Sequence, residues 1–427
     1  MLVQFRVRNY RSFKDDAILN MAATPLKADD PEVDENNTFQ SPDETPLLKA
    51  AAIYGANASG KSNLITAMQF MRKFVLGSSK DTQAKEEIPV EPFQLNISTP
   101  VEPSCFEMVF FVEGTQYRYG FEATRENIIS EWLLHVPKNR EVRLFARERQ
   151  KIIVSKGFKE GNGVEDKTRE NALFLSVVAQ FNGPVAKKVI EWFSQMIILP
   201  AGSETQHSFL TLVLMKDDWG RPKVIDFLRS LEPSIMGIDV MEPQAPEFPP
   251  DMPEEMKVNY ETLVRLTGQT VETSHQVYNG QGEEAGLETF DLKRHESMGT
   301  QKLFFLAGQV LLSLRVGRPI VVDELDARLH PLLTRAIIGM FSSKETNPRN
   351  AQLIFATHDT NLLSKDFFRR DQIWFTEKDR FGATSLYSLA EFSVRNDASF
   401  GRDYIRGKYG AIPFIGDLTH LLDPAHE

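Results

Sequence analysis

The sequence predicts an α/β fold: a core of mixed and parallel sheet, an antiparallel β-subdomain and a mainly helical insertion. Three observations carry this. Short apolar runs at 47–54, 320–322 and 353–356 each end in polar residues, as strands buried on both faces of an α/β sheet do. Between 106 and 155 apolar and polar residues alternate with the period of half-buried strands. Residues 202–290 keep neither pattern.

Composition sets the outer limits. With 427 residues, 41% hydrophobic and 25% charged, the chain can build one large domain with an insertion, or two domains. A net charge of -10 lacks the broad positive field of a dedicated nucleic-acid binder, although a local basic patch remains compatible with it. The single cysteine, Cys105, excludes an intramolecular disulfide and a cysteine metal cage, which fits a reducing compartment. Arginines among the apolar residues of 1–13 argue against a signal peptide. The best apolar run, 303–316, is interrupted by Gly308, Gln309, Ser313 and Arg315, so it predicts a buried helix and no membrane span. The expected location is cytoplasmic.

In chain order, residues 2–7 alternate as a half-buried strand. Residues 27–46, rich in Asp, Glu and Pro, read as an exposed loop, and 47–54 as one continuous buried strand. Leu64, Ala67, Met68, Met71 and Val75 recur at helical spacing and define one apolar face. Phe106, Met108, Phe110 and Val112, then a Glu113-Gly114-Thr115 turn, then Tyr117, Tyr119 and Phe121 begin a meander that continues over 129–136, 142–146 and 152–155. Its Lys138, Arg140, Arg143, Arg147, Arg149 and Lys151 read first as a solvated strand face, with a nucleic-acid patch as the other reading. The insertion is helical over 224–231, Pro-rich over 243–253 and polar beyond, without a sustained heptad repeat.

Three segments carry chemistry. Gly55-Ala56-Asn57-Ala58-Ser59-Gly60-Lys61-Ser62 fits GxxxxGK[ST] between a strand and a helix. Its glycines let successive N–H groups turn inward around phosphates, and the helix N-terminus adds unpaired donors and partial positive charge. Lys61 can reach the β- and γ-phosphates of ATP, and Ser62 can ligate Mg2+. The strand 320–322 delivers Asp323 and Glu324 to its C-terminal edge, where ligands of parallel sheets bind. Asp323 would hold magnesium through its water shell, and Glu324 would polarise the attacking water. The strand 353–356 ends in Thr357-His358, where His358 can bond the γ-phosphate and the water.

A phosphate loop, then a strand ending in Asp-Glu, then one ending in Thr-His resembles the ABC ATPase head, in the branch of RecF, Rad50 and the SMC heads. Those proteins also open with a strand and an Arg-Ser element, like Asn9-Tyr10-Arg11-Ser12-Phe13 here. The resemblance implies that Arg11, Ser12 and Asn63 join the nucleotide site. It implies that Gln180, ending the apolar stretch after Asn171, is the Q-loop residue that contacts magnesium and the lytic water. It also implies that Glu296-Ser297-Met298-Gly299-Thr300-Gln301 is the signature sequence, with Ser297 and Gly299 gripping a γ-phosphate across a dimer. Residues 1–201 and 291–427 would then be two halves of one head, and 202–290 an insertion. Met298 departs from the usual Ser-Gly-Gly, and His330 stands where many transporters carry an aspartate.

The segments 371–379 and 404–413 further resemble stand-alone bacterial ATPases of the RloA and AbiLi anti-phage type. The signature sequence of the ABC resemblance implies a homodimer or a higher oligomer of head-to-head dimers. The RloA and AbiLi resemblance implies regulation of a separately encoded, nuclease-like effector in abortive infection. A RecF/Rad50-like repair ATPase that binds DNA is the alternative.

Overall fold

A computed structural model describes residues 1–80, 83, 85–137, 140–202, 204–242, 253, 256–257, 269–394, 399–414 and 416. Lys138 and nearly all of the Pro-rich stretch 243–253 lie outside the described residues. In chain order the strands are β1 (Leu2–Arg8), β2 (Ala17–Asn20), β3 (Thr38–Gln40), β4 (Pro46–Leu48), β5 (Ala50–Tyr54), β6 (Ser104–Val112), β7 (Thr115–Ala123), β8 (Ile128–Val136) and β9 (Val142–Glu148). They continue with β10 (Lys151–Val154), β11 (Ile197–Leu199), β12 (Ile235–Met241), β13 (Thr270–Tyr278), β14 (Glu284–Asp291), β15 (Ile320–Val322), β16 (Leu353–Ala356), β17 (Ile373–Lys378) and β18 (Thr384–Ser388).

Two sheets dominate. One has the order β10-β9-β8-β7-β6-β1-β2 and is antiparallel throughout, so the predicted meander is present with β1 and β2 added at its side. The other has the order β11-β15-β16-β5-β17-β18, parallel except for the antiparallel β17–β18 hairpin. The period of two sorts its residues between two cores. Ala51, Ile53, Val321, Ile354 and Ala356 pack toward the meander and the helix Lys61–Gly77. Ala50, Ala52, Tyr54, Ile320, Val322, Leu353 and Phe355 pack toward the helices Met298–Val316 and Pro331–Ser342. Burial on both faces explains why these strands are apolar without alternation. Among the described residues no helix is long and apolar enough to cross a membrane.

Two expectations are corrected. Residues 27–46 are not simply loop: Asp30 accepts from the Glu32 N–H and caps the helix Pro31–Asn37, and β3 and β4 pair behind it. The run 47–54 is two strands, because the chain turns at Lys49, whose amide bonds Asn37 and whose buried ammonium donates to the Ser342 carbonyl at 2.9 Å. Among the described residues the insertion is helical first and then adds a small sheet. After the helices Glu204–Met215 and Gly220–Leu231 it forms the antiparallel sheet β12-β13-β14. The stretch ending at Gln180 is the helix Phe174–Gln180.

Candidate functional site

The C-terminal ends of β5, β15 and β16 converge, and the polar residues at their tips form one cluster. After β5, Gly55 and Gly60 take φ values of 156° and 115°, and Ala58 sits at 59°. A Cβ on Gly55 would come within 2.5 Å of Ser59 Oγ and the Thr376 carbonyl, and one on Gly60 within 2.5 Å of Thr384 Oγ1. Glycine is therefore required at both positions for conformation and for space. Lys61, 6% exposed, folds back so that Nζ donates to the carbonyls of Gly55 at 2.9 Å and Ala56 at 3.0 Å. Asn57, Ala58 and Ser62 are exposed around the loop mouth, while Ser59 is buried.

Opposite the lysine stand three carboxylates. Burial lowers the Lys61 pKa, and Asp323, Glu324 and Asp326 oppose that shift. Asp323 is 7% exposed, and its Oδ1 is buried without a hydrogen-bond partner. A charged oxygen left this way is costly unless a cation is meant to meet it. Asp326 has a similarly unpartnered Oδ1, while its Oδ2 accepts from the His358 N–H at 3.2 Å. Glu324 is exposed and held at φ 50°, a left-handed backbone conformation that a non-glycine residue seldom adopts. His358 has its pKa lowered below 6.5 by partial burial and by Lys61, against the pull of Asp326, Glu324 and Asp323, so its ring is neutral at pH 7.

Other predicted residues lie differently. Arg11 is paired to Glu91 through two contacts of 2.8 and 3.1 Å. Asn63 donates to Ser12 Oγ at 2.7 Å, so these two polar groups are engaged with each other, and Ser12 is 7% exposed. Gln180 is not brought to the loop. It is exposed at the end of a helix whose Ser176 bonds Val75 and Ser78, at the far end of Lys61–Gly77. A rise of about 1.5 Å per residue puts that end roughly 20 Å from Lys61. The Q-loop role therefore has no geometric support at Gln180. A seven-residue apolar run is ambiguous between strand and helix, and here packing on the meander core selected helix.

Ser297 and Gly299 open the helix Met298–Val316, where Ser297 Oγ accepts from the Thr300 N–H at 3.1 Å as its cap. A Cβ on Gly299 would lie 2.8 Å from the Arg328 carbonyl, and Lys302 Nζ donates to the Glu324 carbonyl at 2.6 Å and that of Ala327 at 2.9 Å. The turn thus leans on the 324–328 segment of its own chain. Among the described residues no hydrogen bond joins 297–301 to 55–62. His330 caps the helix Pro331–Ser342 through Nδ1.

Sequence reasoning missed Asp326, Glu91, Lys302, Thr376 and Thr384. Asp326 was findable, being three residues beyond Asp323 in the turn that follows the strand. Lys302 sits just before an apolar run and gives no signal of its own.

No curated protein matches the chain. In fold it is similar to the SMC head domain from Thermotoga maritima, with a TM-score of 0.39 at 15% identity, over 91% of this chain and 98% of that one. Residues 50–364 match the family model described as "AAA domain, putative AbiEii toxin, Type IV TA system". That span covers most of the sequence, and the chain belongs to this family of AAA-domain ATPases.

Proposed function

We propose that the cluster around Lys61 binds and hydrolyses ATP with Mg2+, and that two chains complete two composite sites head to head. The observation that carries this is the set Lys61, Asp323, Glu324, Asp326 and His358 at one sheet edge, with an uncompensated carboxylate oxygen on Asp323. In this reading the loop N–H groups of 55–62 and Lys61 hold the β- and γ-phosphates. Glu324 positions the attacking water, and neutral His358 bonds the γ-phosphate. Ser62 and Asp323 would hold magnesium. Exposed hydroxyl and orphaned carboxylate are hard oxygen donors and fit that ion, which would offset phosphate charge when bound. Ser297, Gly299 and their helix N-terminus would meet the γ-phosphate of the facing copy. Residues 1–201 and 291–427 act as two halves of one head around 202–290.

At the biological level the reading is a cytoplasmic regulator of a separately encoded, nuclease-like effector in anti-phage defence, of the RloA/AbiLi kind. A family description that names a toxin and a toxin–antitoxin system supports it. Copurification from the native operon tests this: a nuclease-like partner supports the reading, and a partner set of replication proteins contradicts it.

The RecF/Rad50-like alternative keeps one observation, the exposed Arg140, Arg143, Arg149 and Lys151 along β9 and β10. Arg147 is lost to it. That side chain is fully buried, bonding the carbonyls of Ala172, Arg169 and Arg149 beside Glu131. Salt-dependent duplex affinity that strengthens with ATP would favour the alternative.

A further inference from the structure

Ser59, in the middle of the phosphate loop, is gripped from behind by a hairpin that lies outside the family-matched residues. Thr376 on β17 contacts Ser59 Oγ through its own hydroxyl at 2.7 Å. Thr384 on β18 contacts the Ser59 carbonyl at 2.8 Å and Ser12 Oγ at 2.8 Å. A carbonyl can only accept, so Thr384 gives its single proton to Ser59, and the contact with Ser12 is a bond that Ser12 donates. Asn63 in turn donates to Ser12 Oγ at 2.7 Å. The result is a directional relay from Asn63 through Ser12 and Thr384 to the loop carbonyl. The residues of the relay and of the Thr376 contact are buried: Ser12 is 7% exposed, Ser59 3%, Thr376 0% and Thr384 5%. At Gly55 and Gly60 of the loop itself, any Cβ would collide with this hairpin.

The hairpin is backed on its other side by the C-terminal turn, which the site chemistry leaves unused. Neighbouring strand residues face opposite ways. Phe375, beside Thr376, stacks on Tyr404 at 5.5 Å and on Tyr409 at 5.8 Å. Tyr387 OH donates to the Tyr409 carbonyl at 2.8 Å, and the Ala411 N–H donates to Glu377 at 3.2 Å.

The geometry points to the β17–β18 hairpin as a clamp on the phosphate loop, with Thr376 and Thr384 as positioning residues for nucleotide and the 404–411 turn holding the clamp in register. This rests on the ATP reading above. The clamp fixes the loop in its anion-ready shape before ligand arrives, so its loss falls on affinity rather than on the chemical step.

Titration calorimetry with ATP and Mg2+, paired with steady-state kinetics, tests it. Thr384→Val keeps the shape and removes the proton. It should raise the ATP dissociation constant and KM about tenfold, with kcat within about twofold, because one buried bond is lost and one carbonyl orphaned. Thr384→Ser, which restores the hydroxyl, should return both to within about twofold of the wild type. Thr376→Val should weaken binding in the same direction and serves if the first variant does not fold. Tyr387→Phe, which removes the bond to the turn and the 3.1 Å contact with Glu377 Oε2, should weaken binding about threefold. Folded valine variants that bind ATP like the wild type overturn the clamp alone. A wild-type chain that binds no ATP overturns the ATP reading and the clamp together.

Discussion

The phosphate loop and the Ser297 turn are both helix N-termini suited to an anion, yet they are finished to different degrees. The loop closes its bonds within the chain: Lys61 lies on Gly55 and Ala56, and Ser59 is held by Thr376 and Thr384. The turn is exposed at Ser297, its hydroxyl does no more than cap its own helix, and Met298 beside it is 51% exposed. In the ATP reading this exposed helix end is the part that a facing copy would complete. Half of the proposed site is thus built for strength in one chain, and half is left open for a second.

The largest effect that would sharpen this contrast is on chemistry. Glu324→Gln should slow hydrolysis about a thousandfold while ATP binding stays within about threefold, and the ATP-bound dimer should accumulate in size-exclusion chromatography. Normal turnover would remove Glu324 from its role. Next comes the closed half: Lys61→Ala should weaken ATP binding about a hundredfold or more in calorimetry, since it strips the cation from the cradle. Tight binding by that variant would break the comparison at its firmer end. On the open half, Gly299→Ala adds a Cβ 2.8 Å from the Arg328 carbonyl and should shift the turn. Hydrolysis should fall about tenfold with single-chain ATP affinity unchanged, the reverse of the Lys61 result.

The smallest effect is a titration. Burial first, and Lys61 second, hold the His358 pKa below its ordinary 6.5, so the neutral ring is the favoured form in the fold. The unfolded chain takes up that proton more readily. The stability contributed by this group is therefore fully present above pH 6.5 and is lost as pH falls through the folded value. An NMR titration of His358 should give a midpoint below 6.5 in the nucleotide-free protein, and a midpoint above it would contradict the placement beside Lys61.

What the sequence revealed follows the same divide. Gly55, Gly60 and Lys61 were legible because a phosphate cradle needs particular backbone angles at fixed spacing, and few other residues tolerate them. Asp323 and His358 were legible because polar groups stand at the tips of apolar strands. Gln180 rested on resemblance alone, and nothing in its local sequence shows that its helix docks at the far end of Lys61–Gly77. The helix after Asp30 had a usable signal, an aspartate cap before a proline at the first helical position. The β13–β14 hairpin also had one in Asn279-Gly280. Thr376 and Thr384 had none, since their role arises only when a distant hairpin closes behind the loop.

Mixing two inactive variants tests the shared site most directly. Lys61→Ala lacks the closed half, and Ser297→Arg blocks the open half. If the halves meet across a dimer, equal mixing forms hybrids with one intact site, and ATPase activity should return to about a quarter of the wild type. If both halves serve the same chain, the mixture stays as inactive as its parts, and the account of a shared nucleotide is wrong.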